Sequence, residues 1–223
     1  MFTPQNIILI DKPQGWTSND VVSKIKGACH YNKVGHAGTL DPMATGLLVI
    51  GYNEGTHLLG ELTNQDKQYQ TIIKFGIRTD TGDKTGNVID KQWVKLDEKQ
   101  VKQALSTFVD KDYLQRPHPY SAIKVNGRKA YEYAREGKPL ELEPRLVRIN
   151  GFRINDFNPN KQELKITINV TKGFYIRSFA EDLASKLKTV AHITMLCRTK
   201  CGDFKLKDAY TLSEYLIKYG NKN

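Results

Sequence analysis

The pattern of this chain predicts an α/β protein of the mixed (α+β) kind, with more strands than helices. Three observations carry that reading. Apolar and polar residues alternate from Tyr69 to Phe75 and from Leu164 to Val170, the mark of half-buried strands. Apolar residues at helical spacing mark amphipathic helices, one beginning near Asp97 and one carrying Phe179, Leu183 and Leu187. At 223 residues the chain can bury one sizeable core, so a single domain from 1 to 223 is expected.

Taken in order, Ile7 to Ile10 reads as a short strand, and Ser18 as the cap of a helix opening Asn19-Asp20-Val21-Val22. Leu47-Leu48-Val49-Ile50 is a continuous apolar run, a buried strand or helix. In the strand from Tyr69, residues Tyr69, Thr71, Ile73 and Phe75 share a face, so Tyr69 either lines a pocket or sits in the core with its hydroxyl satisfied. Thr79 to Gly86 is turn-rich but lacks the alternating acidic ligands of a calcium loop, and reads as a hairpin loop. Val101, Leu105, Phe108 and Val109 define a structural helix starting near Asp97. Tyr120 to Val125 reads as a strand ended by the turn Asn126-Gly127, followed by a basic helical stretch, Lys129 to Arg135, and an irregular Gly137 to Pro144. Leu164, Ile166, Ile168 and Val170 form the clearest half-buried strand, which leads to Arg177. Ser178-Phe179-Ala180-Glu181 has the spacing of a capping box, which sets Arg177 at a strand-to-helix junction. Thr211-Leu212-Ser213-Glu214 repeats that signal before a last helix ended by Gly220.

Charge narrows the partners. The formal net charge is +10 and the pI about 9.4, which suits a polyanion or an anionic membrane surface. From Lys124 to Arg153 eight Lys/Arg face four Glu, and from Lys186 to Lys207 six face one Asp, so two basic stretches flank Arg177. No run approaches the roughly 18 apolar residues that span a bilayer, and the N-terminal apolar run stops at Asp11 without a basic region before it. A soluble, cytoplasmic protein with no membrane partner is expected. Three cysteines, Cys29, Cys197 and Cys201, form no CxxC pair, and although Cys197, Cys201 and His192 make a remote metal set, reduced structural thiols are the expected state.

The chemistry is expected in one place. Residues 35 to 46 read Gly-His-Ala-Gly-Thr-Leu-Asp-Pro-Met-Ala-Thr-Gly, where three glycines and Pro42 constrain the backbone on both sides of Asp41. An ordinary Asp-Pro turn would be the bland reading of the dipeptide alone. The full string, however, resembles the G-H-x-G-x-L-D-P-x-A-x-G loop of the TruB family of tRNA pseudouridine synthases, and every fixed position is present. The resemblance continues in order through Leu9-Ile10-Asp11-Lys12-Pro13-Gln14-Gly15, Asp66-Lys67-Gln68-Tyr69, Gly76-Ile77-Arg78-Thr79-Asp80-Thr81, Tyr120-Ser121-Ala122-Ile123-Lys124, Tyr131-Glu132-Tyr133-Ala134-Arg135 and Lys172-Gly173-Phe174-Tyr175-Ile176-Arg177-Ser178.

That resemblance implies a pseudouridine synthase fold, a mixed and largely antiparallel sheet flanked by helices and loops, with a thumb-like RNA-binding insertion at about 124–146. It implies isomerisation of uridine to pseudouridine at position 55 in the TΨC arm of tRNA. Asp41 would be the catalytic carboxylate, Arg177 the cation that keeps it ionised, and Tyr69 the ring that stacks on the target base. The base must be flipped out of folded RNA, and His36 resembles the histidine that stacks in the gap. Lys12-Pro13 resembles the segment behind the tyrosine, and Leu196 the wall of the uracil pocket. Tyr175, Lys124, Arg128 and Lys129 complete the expected RNA contacts. The family works without metal or cofactor, in keeping with the lack of a Walker loop or dinucleotide glycine motif. A monomer without an obligate protein partner is expected, and a chain of this length has no room for the family's usual C-terminal RNA-binding PUA domain.

Two departures stand out: His118 lies where a second proline or small residue is usual, and Cys197 where an arginine often precedes Arg198. Two rival readings remain on sequence grounds. One is a glycosidase, for which the loop offers no second carboxylate at the required spacing of about 5.5 Å. The other is an RNA chaperone that uses the basic thumb without essential catalysis.

Overall fold

The computed structural model describes residues 5–220. In chain order its elements are β1 (Ile7–Lys12), α1 (Ser18–Cys29), β2 (Val34–His36), β3 (Thr45–Tyr52), α2 (Leu59–Thr63), β4 (Lys67–Phe75), β5 (Ile77–Thr79), β6 (Val88–Lys91), α3 (Glu98–Ser106), β7 (Asp112–Gln115), β8 (Lys124–Val125), β9 (Arg128–Lys129), α4 (Ala130–Arg135), β10 (Arg145–Asn158), β11 (Glu163–Val170), α5 (Ile176–Lys186), β12 (Ala191–Cys201), β13 (Phe204–Lys205), β14 (Tyr210–Thr211) and α6 (Leu212–Tyr219). By its internal contacts the chain divides into two compact units, Met1–Tyr69 with Leu196–Asn223, and Gln70–Met195. The chain passes from one to the other within β4 and within β12.

In the first unit the strand order is β14-β1-β3-β12. β1 runs antiparallel to β3, from Ile7 opposite Gly51 to Lys12 opposite Gly46, while β14 and the end of β12 lie parallel to their neighbours. Residues alternate between the two faces. Ile8, Ile10, Leu48 and Ile50 pack with Val21 and Ile25 of α1 and with Leu212 and Tyr215 of α6. Ile7, Leu9, Leu47 and Val49 pack on the opposite side with Ala37, Cys201 and Phe204. Both faces of β3 are therefore covered, which explains why its sequence is an unbroken apolar run rather than an alternating one. Each of the Val, Leu, Ile and Phe side chains among them contributes roughly 1.5–3 kcal/mol by leaving water, and together they anchor the ends of the loop that carries Asp41.

In the second unit β10 and β11 pair antiparallel, with Phe152 opposite Ile168, and β7 adds to the start of β10. β5 with β6 and β8 with β9 are separate two-stranded hairpins. The β8–β9 turn has positive φ at both Asn126 (51°) and Gly127 (82°), the backbone that an Asn-Gly pair adopts most readily in a tight hairpin. Phe108, Tyr113, Phe174 and Phe179 meet edge to face or tilted, with ring centroids 5.4–6.3 Å apart, and fix α5 by its buried face.

Several sequence expectations shift by a residue or more. The first helix is capped by Thr17, which exchanges hydrogen bonds with Asp20, and Ser18 is released to hold Leu40. Ser178 caps nothing: α5 already begins at Ile176, so Arg177 lies in its first turn, and Glu181 pairs with Arg78 instead. The expected strand from Tyr120 is only Lys124–Val125, because Ser121 spends its carbonyl on Tyr131 and its N–H on Pro119. α3 stops at Ser106, short of Phe108 and Val109. The start of α3 just after Asp97, the cap at Thr211 and the end of the last helix at Gly220 are where the sequence puts them.

Candidate active site

Asp41 sits in a loop whose backbone is tied down residue by residue. Ala37 N–H donates to Val49 O (2.8 Å) and Ala44 N–H to Asp41 O (3.0 Å). The Ser18 hydroxyl accepts from Leu40 N–H (2.9 Å) and donates to Leu40 O (3.2 Å). Beyond Asp41, Pro42 O accepts from Gly15 N–H at 2.7 Å, Met43 O from the Gln14 amide at 3.3 Å, and Gly46 N–H donates to the Asp11 carboxylate at 3.1 Å. None of these bonds uses the Asp41 side chain. Two glycines are required by the path: Gly38 has φ +90° and Gly46 φ +99°, and a Cβ at Gly46 would stand 2.8 Å from Arg198 N and 2.9 Å from Cys197 Sγ.

Two buried cations brace the loop from behind. Arg198 is 1% exposed; its Nε donates to Leu47 O (2.7 Å) and its Nη2 to Gly38 O (3.1 Å), so one guanidinium holds both ends of the loop. Lys12 is fully buried and its ammonium donates to Trp16 O (2.6 Å) and Pro13 O (2.9 Å), with Pro42 O at 3.4 Å. Burial depresses the Lys12 pKa to about 8; the charge of Asp41 opposes that shift and the charge of Arg198 adds to it. Lys12 therefore acts through the loops at 13–16 and 42, not through a surface contact.

Tyr69 is 9% exposed, on the face of β4 that also buries Thr71, Ile73 and Phe75. Leu196 is buried on β12, and the following Cys197 and Arg198 pair with Thr45 and Gly46, the last residues of the loop. His36 ends β2 opposite Ile50, half-buried, five residues before Asp41.

In the second unit the start of α5 is set by Gln115, whose amide donates to Tyr175 O (3.2 Å) and accepts from Tyr175 N–H (2.8 Å). That clamp orients the first turn of the helix and with it Arg177, which is 4% exposed. The Arg177 guanidinium donates to Thr81 O (2.8 Å) and Tyr120 O (2.7 Å), and its Nη1 lies 3.2 Å from His118 Nδ1. Along the thumb-like stretch Lys124 is exposed and Lys129 half-buried, with the Lys129 ammonium 5.5 Å from the Tyr131 ring centre. Arg128 is exposed but already committed, lying 3.5 Å from Glu132, 2.5 Å from Glu136 and 4.6 Å over the Tyr133 ring.

The loop string and its fixed carboxylate can be set against known proteins. A family model described as the N-terminal domain of the TruB family pseudouridylate synthases matches residues 26–176. The chain belongs to the TruB family. It is 49% identical over 221 residues to the tRNA pseudouridine synthase B of Ureaplasma urealyticum serovar 10, covering 98% of this chain and 96% of that one. It is 41% identical over 208 residues to the protein of the same name from Haemophilus influenzae, covering 93% and 66%. Among solved structures, a chain of a Cbf5-Nop10-Gar1 complex superposes with a TM-score of 0.74 at 25% identity, over 96% of this chain and 54% of the other, so this chain spans about half the length of that neighbour. The pseudouridine synthase fold, with its mixed sheet, is the fold found.

For a TruB-family chain, several positioning residues escape a reading of motifs. Arg198, Gln115 and Ser18 lie outside the loop string, and their partners are far away in sequence. The Lys12 ammonium meets backbone carbonyls of Pro13, Trp16 and Pro42, and the Tyr175 backbone is clamped by the Gln115 side-chain amide. Cys197, where an arginine is usual, packs against Gly46, and burial raises its thiol pKa.

Proposed function

We propose that this chain converts uridine to pseudouridine at position 55 in the TΨC arm of tRNA, with Asp41 as the reacting carboxylate. One observation carries the reading: the complete G-H-A-G-T-L-D-P-M-A-T-G loop, held rigid around Asp41, in a chain 49% identical to a tRNA pseudouridine synthase B. The reaction breaks the bond between N1 and C1′, turns the uracil and joins C5 to C1′. The C5 proton leaves to solvent and N1 takes one up, so no electrons are gained or lost and no external energy source is needed. A carboxylate suits each available route, attack on C1′, attack on C6, or removal of the C2′ proton, and each requires it ionised. The motif match gives Arg177 the role of the cation that keeps the reacting carboxylate ionised. Tyr69 stacks on the flipped base, since a phenol with a reference pKa near 10 is a weak base, and His36 fills the gap left in the RNA.

The phosphate backbone is met by the basic thumb-like stretch, Lys124 and Lys129 foremost. We further read the protein as a cytoplasmic monomer that needs no metal or cofactor. Among the described residues, no helix is long and apolar enough to cross a membrane.

The deciding experiment is tritium release from tRNA carrying 5-tritiated uridine, with the product located by chemical mapping. Release mapped to one uridine of the TΨC arm is expected, without free uracil. Free uracil as the product would make the chain a glycosidase, and tRNA binding without release would leave a chaperone.

The electrostatic part has its own check. If about five phosphates are neutralised, tRNA affinity falls by roughly 10²–10³-fold between about 50 and 200 mM salt. Lys124→Ala should flatten that dependence more than Arg128→Ala, because Glu132 and Glu136 already balance Arg128. A flat salt response in the parent protein would argue against a phosphate-tracking surface.

A further inference from the structure

His118 departs from the family pattern and lies against the guanidinium that the motif match selects. Its Nδ1 is 3.2 Å from Arg177 Nη1 and 3.3 Å from Tyr120 N. A backbone N–H can only donate, and so can a guanidinium. Nδ1 must then carry the lone pair, and the ring proton is on Nε2. The ring is 5% exposed, and it stands beside Gly82, where a Cβ would come 3.1 Å from Nε2 and 3.4 Å from Arg177 Cβ. Gly82, at φ +71°, thus leaves the space that the imidazole occupies.

We propose that His118 is a positioning residue for Arg177, a neutral acceptor that fixes the rotation of its guanidinium; this rests on the role given to Arg177 above. The guanidinium meets three acceptors, Thr81 O, Tyr120 O and His118 Nδ1. The two carbonyls belong to separate loops. His118 ties one of them down as well, since its Nδ1 accepts from the N–H of the same Tyr120 whose carbonyl receives Arg177 Nη2. The result is one short segment, 118–120, that grips the guanidinium twice. A neutral acceptor does this without adding a second charge beside the arginine, and burial together with the charges of Arg177 and Arg78 holds the His118 pKa down at about 3, so the ring stays neutral at physiological pH.

The geometry singles out one conservative replacement. An asparagine at 118 puts its carbonyl oxygen where Nδ1 is, accepting from the N–H two residues on as an Asx turn does and still facing Arg177. A glutamine carries its acceptor one carbon further, and an alanine carries none. Under single-turnover tritium release, His118→Ala and His118→Gln are expected to slow the step by about 10- to 100-fold, as misplacement of a supporting group does, with tRNA affinity held within about threefold. His118→Asn is expected to stay within about threefold of the parent protein in both.

His118→Ala at the parent rate overturns the proposal. So does His118→Asn slowed as far as His118→Ala at an unchanged melting temperature, which would mean that the ring matters only as packing. If the alanine variant does not fold, the asparagine and glutamine variants decide, and equal rates for those two overturn it. Arg177→Ala separates the two levels: a rate near that of the parent protein defeats the role of Arg177 itself, whereas a slow Arg177→Ala beside a normal His118→Ala defeats only that of His118.

Discussion

Asp41→Asn is expected to abolish tritium release from tRNA, by about 10⁴-fold or more, while tRNA affinity changes by less than about threefold. The substitution replaces one oxygen with an amide nitrogen and leaves the loop its shape. The ties described above, from Ala37 N–H to Gly46 N–H, run through backbone atoms of the loop itself. What is lost is the negative charge and the nucleophilic or basic oxygen, which all three chemical routes need. Binding, by contrast, is expected to rest on Lys and Arg side chains meeting phosphates. The measurement is single-turnover release beside a tRNA titration at fixed salt. Release within about tenfold of the parent protein would remove Asp41 from the chemistry, and loss of binding and release together would show that the loop, not the carboxylate, had been damaged.

How far the sequence foretold this site differs from residue to residue, for physical reasons. The loop was legible because its constraints are local: glycines at positive φ, a proline beside Asp41 and an apolar run behind it are all visible within twelve residues. The strands β4 and β11 were legible because each buries one face and so alternates. β10 was not, since of its 14 residues only Val147 and Ile149 are buried. β12 was not either, because it buries His192 and Arg198 among its apolar residues, and a buried charge carries no signature in a pattern of hydropathy. The helix caps went astray where two candidates compete. Thr17 and Ser18 are adjacent, and only the tertiary hydrogen bonds between the Ser18 hydroxyl and Leu40 decide which of them caps. His118 was visible as a departure from the family pattern, but its use was not, because Arg177 lies 59 residues away.

Arg198→Met is expected to destabilise the protein by about 2–5 kcal/mol and to slow isomerisation by about 10- to 100-fold. Methionine fills much of the same volume, so the change isolates the donors. Two buried carbonyls, Leu47 O and Gly38 O, lose the guanidinium that joins them across the loop, at roughly 1–3 kcal/mol each for an unsatisfied buried group. An opposing term exists, since removing a buried charge relieves its desolvation. That relief is smaller here than in a general core site, because the two carbonyls remain and their geometry was built around a forked donor. Arg198→Lys should recover little, as one ammonium on a flexible stem cannot reach both carbonyls in the planar arrangement of a guanidinium. Denaturant midpoints at constant slope measure the first effect and single-turnover release the second. A third reading is specific to the site: Arg198 is one of the charges that push Lys12 down to about 8, so the Lys12 ammonium should titrate higher in Arg198→Met. The sign follows from the linkage. A lysine whose folded pKa lies below its unfolded value gives a contribution that grows as pH rises from about 8 towards 10.5, and a higher folded pKa narrows that window from below. A variant within about 0.5 kcal/mol of the parent protein and with unchanged turnover would mean that the loop is held without Arg198, by contacts such as those of Ser18, Gly15 and Asp11. The expected outcome, loss of both stability and rate from a residue 157 positions from Asp41, would mean instead that the rigidity of the Asp41 loop is supplied in part by β12, the eleven-residue strand that also carries Leu196.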